Sequence, residues 1–175
     1  PHAVVAAYAD LFRRSGGTFQ HLTATSLRRD GSRWTVLGAA GSESLSADQL
    51  VVALGPWSKA LLKTTDINLP MAFERGYHMH YRGVGGASVS RPIHDTDGGY
   101  VLSPMARGLR LTTGVELDAC DAPGKSVQLE LAESRAREAF PLGERLDATP
   151  WLGRRPTLPD SRPMIGEAPR HPGLW

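Results

Sequence analysis

Between Ala3 and Arg14 the apolar residues Val4, Val5, Tyr8, Leu11 and Phe12 recur at intervals of three and four, the period of one helix face. Ser15-Gly16-Gly17 ends that pattern. Thr18 to Leu27 and Arg33 to Leu37 read as strands joined at Asp30-Gly31, a strong hairpin signal, and Gln49 to Leu54 reads as a short buried strand. The chain leaves that strand through Gly55-Pro56-Trp57-Ser58, and a brief helix follows from Lys59 to Leu62.

From Leu69 onward the pattern changes to short strands at Tyr77 to Tyr81, Ser90 to Ile93, Tyr100 to Ser103 and Leu109 to Thr113. Gly83 to Gly86, Asp97-Gly98-Gly99 and Arg107-Gly108 separate them as turns, so the region predicts an antiparallel sheet. Ser126 to Phe140 reads as a surface helix, opened by Ser126 as N-cap, supported by Glu130 and Glu133 four or five residues before Arg135 or Arg137, and closed by Pro141. Beyond it, Pro150, Pro156, Pro159 and Pro163 fix φ and remove backbone donors around Arg154 and Arg155. The expected class is α+β, an antiparallel or mixed sheet with flanking helices.

Composition narrows the function classes. With 175 residues, 41% hydrophobic and 22% charged, the chain reads as one or two soluble globular domains. No apolar run approaches the roughly 18 residues that cross a bilayer, so no transmembrane segment is expected. The net charge is +2, and Arg13, Arg28, Arg75, Arg107, Arg135 and Arg154 are spread along the chain rather than clustered, which argues against nucleic acid as a partner. The single Cys120 excludes an internal disulfide and a cysteine-rich metal site. A cytoplasmic setting is expected, with association at the inner face of a membrane left open.

Several residues could carry chemistry. A planar guanidinium grips a carboxylate through two parallel hydrogen bonds, and Arg155 sits in a segment stiff enough to hold one in place. His78 and His80 alternate with Tyr77, Met79 and Tyr81, so both imidazoles share one strand face. They could begin a metal site with His94, Asp95 and Asp97, but those acids follow no ligand spacing and no metal is assigned. Gly55, directly after an apolar strand, would let backbone approach a ligand closely. No Gly-x-Gly-x-x-Gly lies between a strand and a helix, and Gly83-Val84-Gly85-Gly86 reads as a hairpin loop.

Trp151-x-Gly153-x-Arg155-Pro156, Val51 to Ser58 and Glu74-Arg75-Gly76-Tyr77-His78 together resemble the FAD-dependent D-amino-acid oxidase and dehydrogenase family, most of all its bacterial D-amino-acid dehydrogenase-type members. The resemblance implies FAD as cofactor, and residues 1–64 as part of a discontinuous Rossmann-like FAD-binding domain. Residues 65–148 would be a substrate-binding domain and 149–175 a return segment. Arg155 would hold the amino-acid carboxylate, Tyr100 would lie over the substrate and face Arg155, and His78 would line the pocket. Gly55, Trp57, Ala24, Arg162 and Gly166 would contact the cofactor.

The implied reaction is hydride transfer from the α-carbon of a small amino acid, giving a 2-oxo acid and ammonia, with oxygen or a quinone as electron acceptor. A glycine or sarcosine oxidase of the same family and a non-catalytic carboxylate-binding or assembly domain are the alternatives. Since the pyrophosphate-cradling glycines are not in the sequence, the chain reads as an internal fragment, expected to be inactive by itself with weak or absent FAD binding.

Overall fold

The computed structural model describes residues 2–39 and 43–175. In chain order the elements are α1 (His2–Arg14), β1 (Ala24–Asp30), β2 (Arg33–Gly38), β3 (Leu45–Ala47), α2 (Ser58–Leu62), β4 (Ala72–Gly83), β5 (Ile93–Asp95), β6 (Tyr100–Met105), β7 (Gly108–Thr113), β8 (Glu116–Leu117), α3 (Val127–Ala139), β9 (Leu142–Arg145) and β10 (Trp151–Thr157). The fold is α+β with antiparallel sheets and few helices. Two compact units form: Pro1–Val52 with Leu61–Ile67 and Gly166–Trp175, and Ala53–Ala60 with Asn68–Ile165.

In the first unit β1 and β2 make the expected hairpin, with Asp30 opposite Arg33, and β3 adds a third strand. The first strand begins at Ala24 rather than Thr18, and its pairing with β2 runs from Ala24–Gly38 to Asp30–Arg33. Gln49 to Leu54 is not a strand either. It makes a single parallel bridge, Leu50 to Leu174, with Leu50 N donating to Gly173 O and Val52 N to Trp175 O. One short partner supplies too few bonds for a ladder. Leu27, Trp34, Leu61 and Leu174 form the core of this unit. Helix α1 keeps its whole apolar stripe exposed, with Phe12 edge-on to Phe19 at 5.1 Å.

The second unit is built on β4, a twelve-residue spine. One edge of it pairs with β10 and then β9; the other pairs with β8 and then β7, which leads on to β6 and β5. Arg75, Tyr77, Met79 and Tyr81 are buried on one face, with Leu102, Leu109, Leu111 and the α3 residues Leu129, Ala132 and Ala136. This is the packed face. Glu74, Gly76, His78 and His80 alternate with them and point to the other, open face. Helix α3 ends as expected, Phe140 being extended (φ −145°, ψ 144°) before Pro141. Ser126 does not cap it: its backbone is already helical (φ −81°, ψ −22°) and its side chain makes no capping bond. Glu133 receives Arg137 and Arg145 and the Tyr81 hydroxyl. Burial would raise its carboxyl, but the two arginines and the phenol hold it below the usual range.

Arg75 is fully buried, at 0% exposure. It pairs with Glu116 at 2.8 Å and donates to the carbonyls of Ala119, Ala122 and Pro123 at 3.2, 2.6 and 2.8 Å. Simple continuation of the β7 register would set Val115 opposite Arg75. One extra residue puts Glu116 there instead and turns its carboxylate onto the packed face. Replacing Arg75→Ala should cost the complete protein about 3–5 kcal/mol, the penalty for stranding a buried partner charge. Urea denaturation checks this; a loss below about 1 kcal/mol would show that the pair is dispensable.

Candidate functional site

Three residues of the Trp-x-Gly-x-Arg segment, Trp151, Gly153 and Arg155, share the open face, opposite His78, Gly76 and Glu74 in that order. Gly153 has no side chain, and a Cβ there would collide with the Trp151 ring, which folds back over it. That ring stacks on His78 at 4.6 Å with 22° between planes. The Trp151 ring therefore roofs Gly153, and only Gly76, which also carries no side chain, separates the Trp151–His78 stack from Glu74 and Arg155 along the open face. Arg155 Nη1 donates to Glu74 Oε2 at 3.2 Å, and its side chain is 74% exposed. Arg154 alternates to the packed face, where its Nε donates to Cys120 O at 2.6 Å.

His78 also meets His80 edge-on at 5.4 Å. His80 Nδ1 lies 2.9 Å from Asp147 Oδ2, and Arg107 Nη2 donates to Asp147 Oδ1 at 2.8 Å. These two contacts pull the Asp147 carboxyl below the usual carboxylate range. Asp147 gets there because β9 and β10 line the same edge of β4; the residues between them pass His80, whose carbonyl accepts from Leu146 N at 2.8 Å. Burial, the Arg110 charge and His80 lower the pKa of His78. A neutral imidazole thus faces the open side.

Tyr100 is only 4% exposed and belongs to the packed face, where burial and the nearby Asp95 carboxylate raise its phenol pKa. The expectation that Tyr100 and Arg155 face each other is corrected here: the register Tyr100–Thr113, Leu102–Leu111, Leu111–Met79 carries Tyr100 to the side of Met79, whereas Arg155 follows Glu74 to the opposite side. Asp95 turns toward Tyr100 and the Gly98 amide, away from the histidines. Among the described residues no three His, Cys, Asp or Glu side chains converge as metal ligands.

Of the cofactor candidates, Gly55 has a left-handed backbone (φ +57°) with open space where a Cβ would lie, and Trp57 beside it is 53% exposed. Their turn packs against β10. Arg162 is exposed, its backbone N–H donating to Asp160. In the other unit Ala24 opens β1 opposite Gly38 and packs against the core, while Gly166 is exposed. An open glycine next to an exposed indole fits a broad flat ring such as a flavin, with room for close backbone approach.

Motif spacing points to Arg155, Gly55 and His78, and assigns no site role to Asp147, Arg107, Arg110 or Glu74. Alternation along β4 was the available signal for Glu74. Asp147 and Arg110 reach the site only through strand pairing over long sequence separations.

All 175 residues match the family model described as FAD dependent oxidoreductase, abbreviated DAO. The chain belongs to this family. It is 30% identical to a D-amino acid dehydrogenase of Xanthobacter autotrophicus over 94% of its length and 40% of that protein, and 31% identical to a D-amino-acid oxidase of Bradyrhizobium diazoefficiens over 96% and 40%. It therefore spans about two fifths of these relatives. Among solved structures, an iminodiacetate oxidase from a Chelativorans species superposes with a TM-score of 0.78 at 20% identity, covering 98% of this chain and 47% of that one. An L-proline dehydrogenase from P. horikoshii gives 0.77 at 14%, with coverages of 98% and 47%. The shared fold is that of the family's amino-acid oxidoreductases, and no helix among the described residues is long and apolar enough to cross a membrane.

His78 should titrate below the ordinary imidazole value of about 6.5. The unfolded chain then takes a proton that the folded one refuses, so this contribution to stability is present above about pH 6.5 and falls as the pH drops through it. Nitrogen-15 NMR of labelled histidines checks the shift, and an unperturbed His78 would contradict the screened, Arg110-facing environment.

Proposed function

We propose that the complete protein is an FAD-dependent amino-acid dehydrogenase that oxidises the CH–NH2 group of a small amino acid to an imine, which water hydrolyses to a 2-oxo acid and ammonia. The observation that carries this reading is the position of Arg155: on the open face, beside the glycine pair Gly76 and Gly153, on the strand against which the Gly55–Trp57 turn packs. The unit containing Ala24 and Gly166 is read as part of the FAD-binding domain, and the β4 sheet as the substrate-binding domain. Relatives named D-amino acid dehydrogenase and D-amino-acid oxidase support the substrate class.

Bound FAD would supply a two-electron acceptor for the α-hydrogen, leaving orientation and proton handling to the protein. Arg155 keeps donors free beyond the one given to Glu74 and grips the substrate carboxylate, which turns charge into a fixed orientation. Trp151 and His78 wall the far side of Gly76, and the neutral His78 can accept the proton released from the substrate amine. Gly55 and Trp57 would lie against the flavin, with Arg162 as a further contact. Tyr100 supports the sheet from its packed side.

In the complete flavoprotein, Arg155→Ala should lower kcat/KM by at least about a hundredfold, the scale set by losing a charge-assisted bidentate contact, while the FAD absorbance per protein stays constant. Steady-state kinetics with a panel of small amino acids tests it, and wild-type kinetics in the variant would remove Arg155 from the site. Peroxide production in air, against turnover with an artificial acceptor under nitrogen, separates oxygen from a quinone-type acceptor.

A further inference from the structure

Arg110 stands on β7, on the open face, opposite His80 of β4 and Ser103 of β6. It is half-buried, and its Nε is sealed from solvent without a hydrogen-bond partner. Three arginines among the described residues are buried or half-buried: Arg75, Arg110 and Arg154. Arg75 is paired with Glu116, and Arg154 donates to Cys120 O. Arg110 has no acceptor among the described residues. The nearby acid, Asp147, is committed to His80 and Arg107. A half-buried guanidinium with no resident carboxylate is more open to an incoming anion than one already paired, because no acid has to be displaced from it.

We propose that Arg110, flanked by His78 and His80, is the cation of a second carboxylate subsite, which takes an acidic group other than the one held by Arg155. The subsite rests on the reading of the protein as an amino-acid dehydrogenase for its source of ligand. Arg155 sits at the row of Glu74 on one edge of β4 and Arg110 at the row of His80 on the other, six residues along and two strand spacings across, or about 22 Å between backbones. The two guanidinium arms close only part of that gap. One carboxylate cannot serve both, and a ligand joining them carries its acids at opposite ends, as a dicarboxylic amino acid does. The groups surrounding the subsite are His78 and His80 on β4, Arg107 in the turn before β7, and Asp147 after β9; the one acid among them is already paired.

The complete flavoprotein tests this with glutamate and its neutral isostere glutamine as substrates, and with glutarate as a ligand that cannot be oxidised at an amine. Arg110→Gln should lower the ratio of kcat/KM for glutamate over glutamine at least tenfold, chiefly through KM, and Arg110→Lys should recover part of it. Glutarate should raise the His78 pKa in histidine-labelled wild type by neutralising the Arg110 charge, and should fail to do so in Arg110→Gln. Equal losses for both substrates, with the flavin spectrum retained, would mark Arg110 as structural and overturn the proposal, as would no loss together with no glutarate response. A glutarate response without selection for glutamate would assign the subsite to a separate small carboxylate and overturn the substrate side chain as its source. A glutarate response in a protein that oxidises neither amino acid would leave the subsite standing and reject the dehydrogenase reading.

Discussion

The second unit depends on one buried charge. Arg75 lies wholly inside, and an unpaired guanidinium there would be intolerable, so the chain supplies a carboxylate from Glu116 and three carbonyls from the segment 119–123. Tyr77 joins the cluster: its hydroxyl accepts from Arg75 and from Lys125 N and donates to Glu116. The loop between β8 and α3 has no regular structure, and these bonds tie it to the spine. They also fix which way β4 faces. With Arg75 and Tyr77 committed to the packed side, the pleat leaves Glu74, Gly76 and His78 no choice but the open side.

The sheet therefore divides its labour by face. The packed side carries Tyr77, Met79, Tyr81, Tyr100 and Leu111 against α3, with the phenols of Tyr77 and Tyr81 bonded to Glu116 and Glu133 and that of Tyr100 near Asp95. These acids hold tyrosines in place and, as in Tyr81 and Tyr100, burial with a carboxylate partner keeps the phenol protonated. The open side gathers cations and imidazoles around glycines, with few acids. Glu74 and Asp147 each answer an arginine. A surface of that kind orients anions, and a substrate with an α-carboxylate matches it.

How much of this was legible in the sequence varied with the range of the interactions. The α1 period, the Asp30-Gly31 turn, the alternation through Tyr77 to Tyr81 and the α3 stop at Pro141 are local signals, and an element of the expected type formed at each, although β1 starts later than Thr18 and β4 extends well beyond Tyr77 to Tyr81. Gln49 to Leu54 looked like a strand from its apolar content, but a strand is defined by its partner, and Leu174 lies over a hundred residues on. The prolines around Arg155 mark a stiff segment without naming its type, and Trp151 to Thr157 forms a strand, because an edge position tolerates a missing donor. Tyr100 was placed beside Arg155 by family analogy alone. Face assignment needs the register through two intervening strands, which no spacing motif encodes.

Pro156 then acquires a structural role. On the path from β10 to β5, β10 is an outer strand, and an unpaired edge invites a further strand. Pro156 presents no N–H, so it breaks the row of donors that such a strand would need. What packs against β10 instead is the short 3₁₀ turn Gly55–Trp57, a compact element without a ladder of its own. The same residue that stiffens the backbone next to Arg155 thus keeps the strand's edge clear for the turn that bears the open glycine and the exposed indole. Replacing that proline with a donor-bearing residue would relax both constraints at once, which ties the orientation of Arg155, the proposed carboxylate anchor, to the position of the proposed flavin contact through a single backbone restriction.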